Sequence, residues 1–128
     1  MSRKPYIRQK PNTWWMSNSF YRAYMMREFS SIFIAIYAVV LLVGLVRLSQ
    51  GAQAWEGWLA ALQSPLSIGL NGVSLLFALY HSVSWFKLAP QAIPPQISGI
   101  RIRAGLVIGL HYVAFFLLSI IVVAWAIL

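Results

Sequence analysis

The chain has 128 residues, 60% of them hydrophobic and only 9% charged, with a mean hydropathy of +0.72, a balance that excludes a water-soluble domain of this length and points to an integral membrane protein. It has no cysteine, which excludes disulfides, thiolate catalysis, and thiolate zinc or iron–sulfur sites held by this chain. Its net charge of +8 comes from ten Lys and Arg against two acids, and the placement of those cations is informative.

Residues 1–18 combine basic residues with Pro5, Pro11, Trp14 and Trp15 and read as an arm along the membrane surface. Trp14, Trp15, Phe20, Tyr21 and Tyr24 make an interfacial aromatic belt. A first helix is expected from Ser19, capped by Ser17, Asn18 or Ser19. Its apolar run, Phe29 to Leu48, begins too far behind the polar arm for a cleaved signal peptide and reads as a retained span.

Gly51 stops that helix, and in AQAWEGWLAAL the residues Trp55, Trp58, Leu59 and Leu62 recur at helical spacing with Glu56 opposite. A short interfacial helix is expected there, with Glu56 on its solvated face. A second span runs from about 66 to 89, and a third covers 104–128. Between them LAPQAIPPQISG carries three prolines, expected to end the helix and stiffen an extended connection. Gly69, Asn71, Gly72 and Ser74 in the second span, and Gly105 with Gly109 in the third, are candidate close-packing positions.

The expected fold is therefore all-α and membrane-integral, an arm at 1–18 followed by three spans at about 19–48, 66–89 and 104–128. Each is near the roughly 20 residues that cross a hydrocarbon core as a helix, and a lipid-embedded backbone must satisfy itself. Arg3, Lys4, Arg8, Lys10, Arg22 and Arg27 precede the first span, and Lys87, Arg101 and Arg103 lie between the second and third. Only Arg47 falls at the intervening loop. That asymmetry places the N-terminus in the cytoplasm and the C-terminus on the other side. Orientation and contact with anionic lipid account for the charge without nucleic acid.

With this topology the start of the first helix and the end of the second share a depth. Arg27 and Glu28 come from one, His81 and Trp85 from the other, the latter two four residues apart on one helical face. A quinone needs donors for two carbonyl oxygens, aromatic neighbours for a flat ring, and a titratable group to take the proton that moves with each electron. His81 and Trp85 can donate, Arg27 can offset negative charge on a reacting oxygen, and Glu28 can accept a proton. Structural readings stand beside this one. Arg27 and Glu28 can be an ordinary interfacial pair, His81 a bundle hydrogen-bonder and Trp85 a belt residue. His111, two turns into the third span, can join His81 as a bis-imidazole haem pair or simply pack.

The stretches RKPY, TWW, FYRAYMMRE and HSVSWFKLAP resemble the C-subunit family of the quinol:fumarate reductases of enterobacteria and relatives. The resemblance is strongest through about Ala92. It implies a membrane anchor in the bacterial inner membrane that bundles with a second anchor, the D subunit. Together they would hold an iron–sulfur subunit and a flavoprotein, and FAD and the clusters would reside only in those partners. It implies menaquinol oxidation at a shared site, with the family's site residues falling on Arg27, Glu28, His81 and Trp85, Ser31 as a further quinone contact, Glu28 as proton acceptor and no haem. His111 and IPPQISGIRIR depart from the family pattern. The competing readings are a haem b-binding anchor of a succinate dehydrogenase and a small structural or transporter-like subunit without a redox role.

Overall fold

The computed structural model describes residues 11–92, 96–97 and 99–128, so the RKPY pattern and the cations Arg3, Lys4, Arg8 and Lys10 lie outside the described residues. A short 3₁₀ helix, Trp14–Ser17, leads into α1 (Ser19–Ser49). There follow α2 (Ala52–Leu62), α3 (Pro65–Ala92), the antiparallel pair β1 (Gln96–Ile97) and β2 (Ile100–Arg101), and α4 (Ala104–Ile127). The all-α membrane architecture expected from the sequence is what forms: α1, α3 and α4 are long and apolar enough to cross a membrane. At about 1.5 Å per residue, their 31, 28 and 24 residues exceed a hydrocarbon core of about 30 Å, so the helix ends stand at headgroup depth. Large apolar side chains are exposed all round these helices and none is fully buried among the described residues, as expected of surfaces solvated by lipid.

The chain divides into two compact units, Met1–Phe77 and Ala78–Leu128, the boundary falling inside α3. In the first unit Asn18 caps α1: its Oδ1 accepts from the Phe20 amide at 2.9 Å, satisfying one of the orphan donors of the first turn. Trp14 packs edge-on against Tyr21, ring centroids 4.8 Å apart, which folds the end of the arm onto the first turn of α1. At the far end of α1, Gln50 closes the helix onto Arg47 and Val46 carbonyls, and Gly51 (φ 102°) turns the chain into α2. Few side chains other than glycine adopt that φ.

Trp55 and Trp58 of α2 stack at 4.8 Å, and Trp58 settles over Gly44 of α1. A Cβ at Gly44 would stand 2.6 Å from the Trp58 ring. The short helix is thus present where its spacing predicted it, with one tryptophan seated on a glycine notch. The glycines singled out from the sequence behave differently: a Cβ at Gly69, Gly72, Gly105 or Gly109 would meet nothing within 4 Å. In the same unit Phe77 of α3 stacks on Phe33 of α1 at 4.2 Å and meets Phe29 edge-on at 5.7 Å.

In the second unit Phe86 of α3 is a hub for three rings of α4, with centroids 5.4 Å from His111, 5.2 Å from Tyr112 and 5.8 Å from Phe115. The helix ends within the proline-bearing stretch, as expected, but not at its first proline. The helix continues to Ala92 and keeps Pro90 inside. A proline so near the C-terminus forfeits only its own bond to the carbonyl four residues back, and one late turn can lose that bond without unravelling. Beyond it, β1 and β2 pair in register Gln96 with Arg101 and Ile97 with Ile100, and Gly99 (φ 80°) supplies the positive φ of the turn. The connection therefore holds a minute hairpin in place of a uniformly extended segment.

Replacing Gly44 by Ala gains about 1 kcal/mol of helix propensity but drives a methyl into a rigid indole, an overpacking cost of about 1–3 kcal/mol. A net loss of about 1 kcal/mol is expected in detergent-unfolding midpoints. Adding Trp58→Ala should remove the clash, so the double variant loses less than the sum of the singles. Strictly additive losses would show that the notch carries no coupling.

Candidate functional site

Arg27, Glu28 and Ser31 lie in the first four turns of α1. Adjacent residues on a helix leave the backbone about 100° apart, so Arg27 and Glu28 start in different directions. Glu28 is exposed, whereas Arg27 is half-buried and its guanidinium carbon stands over the Tyr24 ring at 5.5 Å. That i, i+3 placement holds a cation against an aromatic face, an attraction of about 0.5–1 kcal/mol at exposed sites and more where water is excluded.

Two serines follow them. Ser30, fully buried, donates its hydroxyl to the Arg27 carbonyl at 2.5 Å, and Ser31 donates to the Glu28 carbonyl at 2.6 Å. Ser31 is exposed but its proton is committed to the helix, so towards any ligand it offers oxygen lone pairs only.

His81 and Trp85 belong to the second unit and share one face of α3, their rings 6.1 Å apart and tilted by 50°. His81 is half-buried and Trp85 exposed. The hydroxyl of Ser84 donates to the His81 carbonyl at 2.8 Å, repeating the pattern seen at Arg27 and Glu28. An imidazole and an indole N–H presented one turn apart offer a flat ligand a donor pair and aromatic faces.

His111 is placed otherwise. Its Nδ1 lies 2.8 Å from the Val107 carbonyl; a carbonyl only accepts, so Nδ1 carries the hydrogen and, in the neutral ring, Nε2 the lone pair. Its ring packs on Phe86. Phe86 is five residues from His81, a rotation of about 140° around α3. The α3 residue that packs on His111 is thus turned well away from His81 around the helix. Among the described residues there is no cluster of three or more His, Cys, Asp or Glu able to hold a metal.

Sequence reasoning missed Tyr24 as the seat of Arg27 and Ser30 as a buried hydroxyl. The i, i+3 spacing of Tyr24 and Arg27 carried the first signal. Nothing local marked Ser30, because only the fold decides which serine of the Ser30–Ser31 pair is covered.

These features define a small helical membrane subunit, three spans with their ionisable side chains concentrated near the helix ends. The sequence model of the family described as the fumarate reductase C subunit matches residues 1–127. Relatives that carry the same name include that of Vibrio atlanticus (strain LGP32), 36% identical over 94% of this chain and 95% of the relative. That of Klebsiella pneumoniae (strain 342) is 42% identical over 76% of this chain and 74% of the relative. The chain belongs to the fumarate reductase C-subunit family and is a multi-pass membrane subunit of that class. The match reaches through the third span, beyond the motifs that carry the resemblance in the first two.

Nitrogen NMR of labelled His111 in the purified chain should report the Nδ1–H tautomer of the neutral ring. A predominant Nε2–H form would mean that the bond to Val107 is absent.

Proposed function

We propose that the chain anchors the flavoprotein and iron–sulfur subunits of a fumarate reductase to the bacterial inner membrane, beside a second anchor subunit, and contributes to menaquinol oxidation. In this reading the chain is not itself catalytic for fumarate. FAD and the clusters belong to the partner subunits, and electrons from menaquinol pass through them to fumarate during anaerobic respiration. The N-terminus is cytoplasmic and the C-terminus periplasmic, as the distribution of cations favours.

The observation that carries the reading is Glu28. It is the one acid before the apolar run of the first span, it is exposed between two and three turns into α1, and it occurs in a chain of the fumarate reductase C-subunit family. Positive-inside topology assigns the start of α1 and the end of α3 to the same membrane boundary, so Arg27 and Glu28 on one helix and His81 and Trp85 on the other are proposed to serve one quinol. Menaquinol, when bound, supplies two electrons and two protons. Glu28 accepts a proton from a quinol hydroxyl, and Arg27, held by Tyr24, offsets the negative charge left on that oxygen. His81 and Trp85 donate hydrogen bonds that orient the ring. Ser31, its proton already given to the Glu28 carbonyl, accepts from a quinol hydroxyl. Haem is not needed for this reading.

Glu28→Gln keeps the shape and removes the base. Quinol-driven fumarate reduction should fall by about 10²–10⁴-fold, the usual contribution of a positioned acid or base, while dye-driven fumarate reduction and assembly of the complex stay unchanged. Undiminished quinol turnover would refute the proton role. A haem absorption band in the purified complex that disappears with His81 or His111 would support the cytochrome-type anchor instead.

A further inference from the structure

After Glu56 the chain contains no acid, and its only Lys and Arg in that stretch are Lys87, Arg101 and Arg103. All three are exposed, and all belong to the second unit, on the last turns of α3 and on the connection to α4. Arg101 is in β2, and Arg103 follows two residues later in extended backbone at the start of α4 (φ −64°, ψ 131°). Isoleucines alternate with them. Ile102 is half-buried, but Ile100 is 74% exposed. An exposed isoleucine between a tight turn and an arginine is costly in water and favourable at a lipid surface.

The reach of these arginines is short. Arg103 directly precedes α4, a helix apolar and long enough to span a membrane, and Arg101 stands two residues before it, about 7 Å of extended chain at about 3.3 Å per residue. That is within about one Debye length at physiological ionic strength, so Arg101 and Arg103 stay within the field of whatever leaflet α4 emerges from. No carboxylate side chain of their own unit can neutralise them. Headgroup phosphates lie at that depth, and acyl chains lie just beneath for Ile100.

We propose that Arg101 of β2 and Arg103 just beyond it, with Lys87 near the end of α3 as a further cation and exposed Ile100 as the apolar contact, bind the anionic phospholipid headgroups of the adjoining leaflet. The bilayer surface is their occupant, and the arginines bond phosphate oxygens through their guanidinium donors. None of these residues belongs to the proposed quinol site, so the lipid contact stands whether or not the quinol reading holds.

Because the chain has no cysteine, a single Ile100→Cys can carry an environment-sensitive fluorophore without other labelling. The full-length labelled chain is reconstituted into vesicles of phosphatidylcholine alone and of phosphatidylcholine with phosphatidylglycerol. In the anionic vesicles the label should move to a blue-shifted, lipid-quenchable position, reversed by high salt. In native mass spectrometry of the unlabelled chain, Arg101→Gln with Arg103→Gln should lower retention of phosphatidylglycerol relative to phosphatidylcholine by roughly 30-fold at low salt, from about fivefold per basic residue at an anionic surface. Identical label positions in the two vesicles, or unchanged phosphatidylglycerol retention in the double variant, would overturn the proposal. So would loss of a co-purifying soluble partner from the double variant with its lipid retention intact, which would make an acidic protein surface the occupant.

Discussion

Lipid cannot hydrogen-bond to a backbone or a side chain, and the rest of this molecule follows from that constraint. The three long helices satisfy their peptide groups internally, and their side chains extend the same solution. The hydroxyls of Ser30, Ser31, Ser49 and Ser84 each donate to the carbonyl three residues earlier. Where water could take such a proton the bond would be nearly neutral, but at membrane depth the alternative is an unsatisfied donor costing on the order of 1–3 kcal/mol. Serine in these spans is therefore compatible with lipid before it is available for anything else. Any serine proposed as a ligand contact, Ser31 included, acts through lone pairs.

The same solvent removes the usual drive for helices to associate, since lipid tails are as apolar as leucine. What remains is shape and quadrupole. Within the first unit the contacts that hold helices together are Phe77 on Phe33 and Phe29, and Trp58 over Gly44. Within the second they radiate from Phe86 to His111, Tyr112 and Phe115. Aromatic pairs contribute about 0.5–1.5 kcal/mol each beyond area burial, so a few rings can define each junction while most leucines and isoleucines remain exposed. His111 belongs to this packing layer: its ring joins the cluster while one nitrogen is tied to its own helix.

Which features were legible in the sequence follows from their range. The three long apolar helices and the short helix at Ala52–Leu62 rest on local signals, namely hydropathy and tryptophan spacing, and of the three candidate caps for a helix from Ser19 the structure uses Asn18. Pro90 misled because proline is a strong breaker only where a helix has turns left to lose. The glycine pairs misled for another reason. A GxxxG pattern states that close approach is allowed, and whether another element arrives is decided elsewhere, which is why Gly44 was passed over and Gly105 and Gly109 stand open. At the candidate site, residue types and their helices were readable, whereas the seating of Arg27 on Tyr24 and the burial of Ser30 required three dimensions.

The Arg27–Glu28 pair shows why that third dimension bears on function. Two opposite charges adjacent in sequence suggest a neutralised couple, which would be inert towards a substrate. On a helix they diverge by about 100°, and here the cation is drawn back over an aromatic face one turn earlier while the carboxylate stays exposed. A ring quadrupole attracts a guanidinium through the ring face. The arrangement thus seats Arg27 on Tyr24 and leaves the Glu28 carboxylate exposed. For the proposed quinol chemistry the two groups can then act on one oxygen in succession, Glu28 on the proton and Arg27 on the charge that remains.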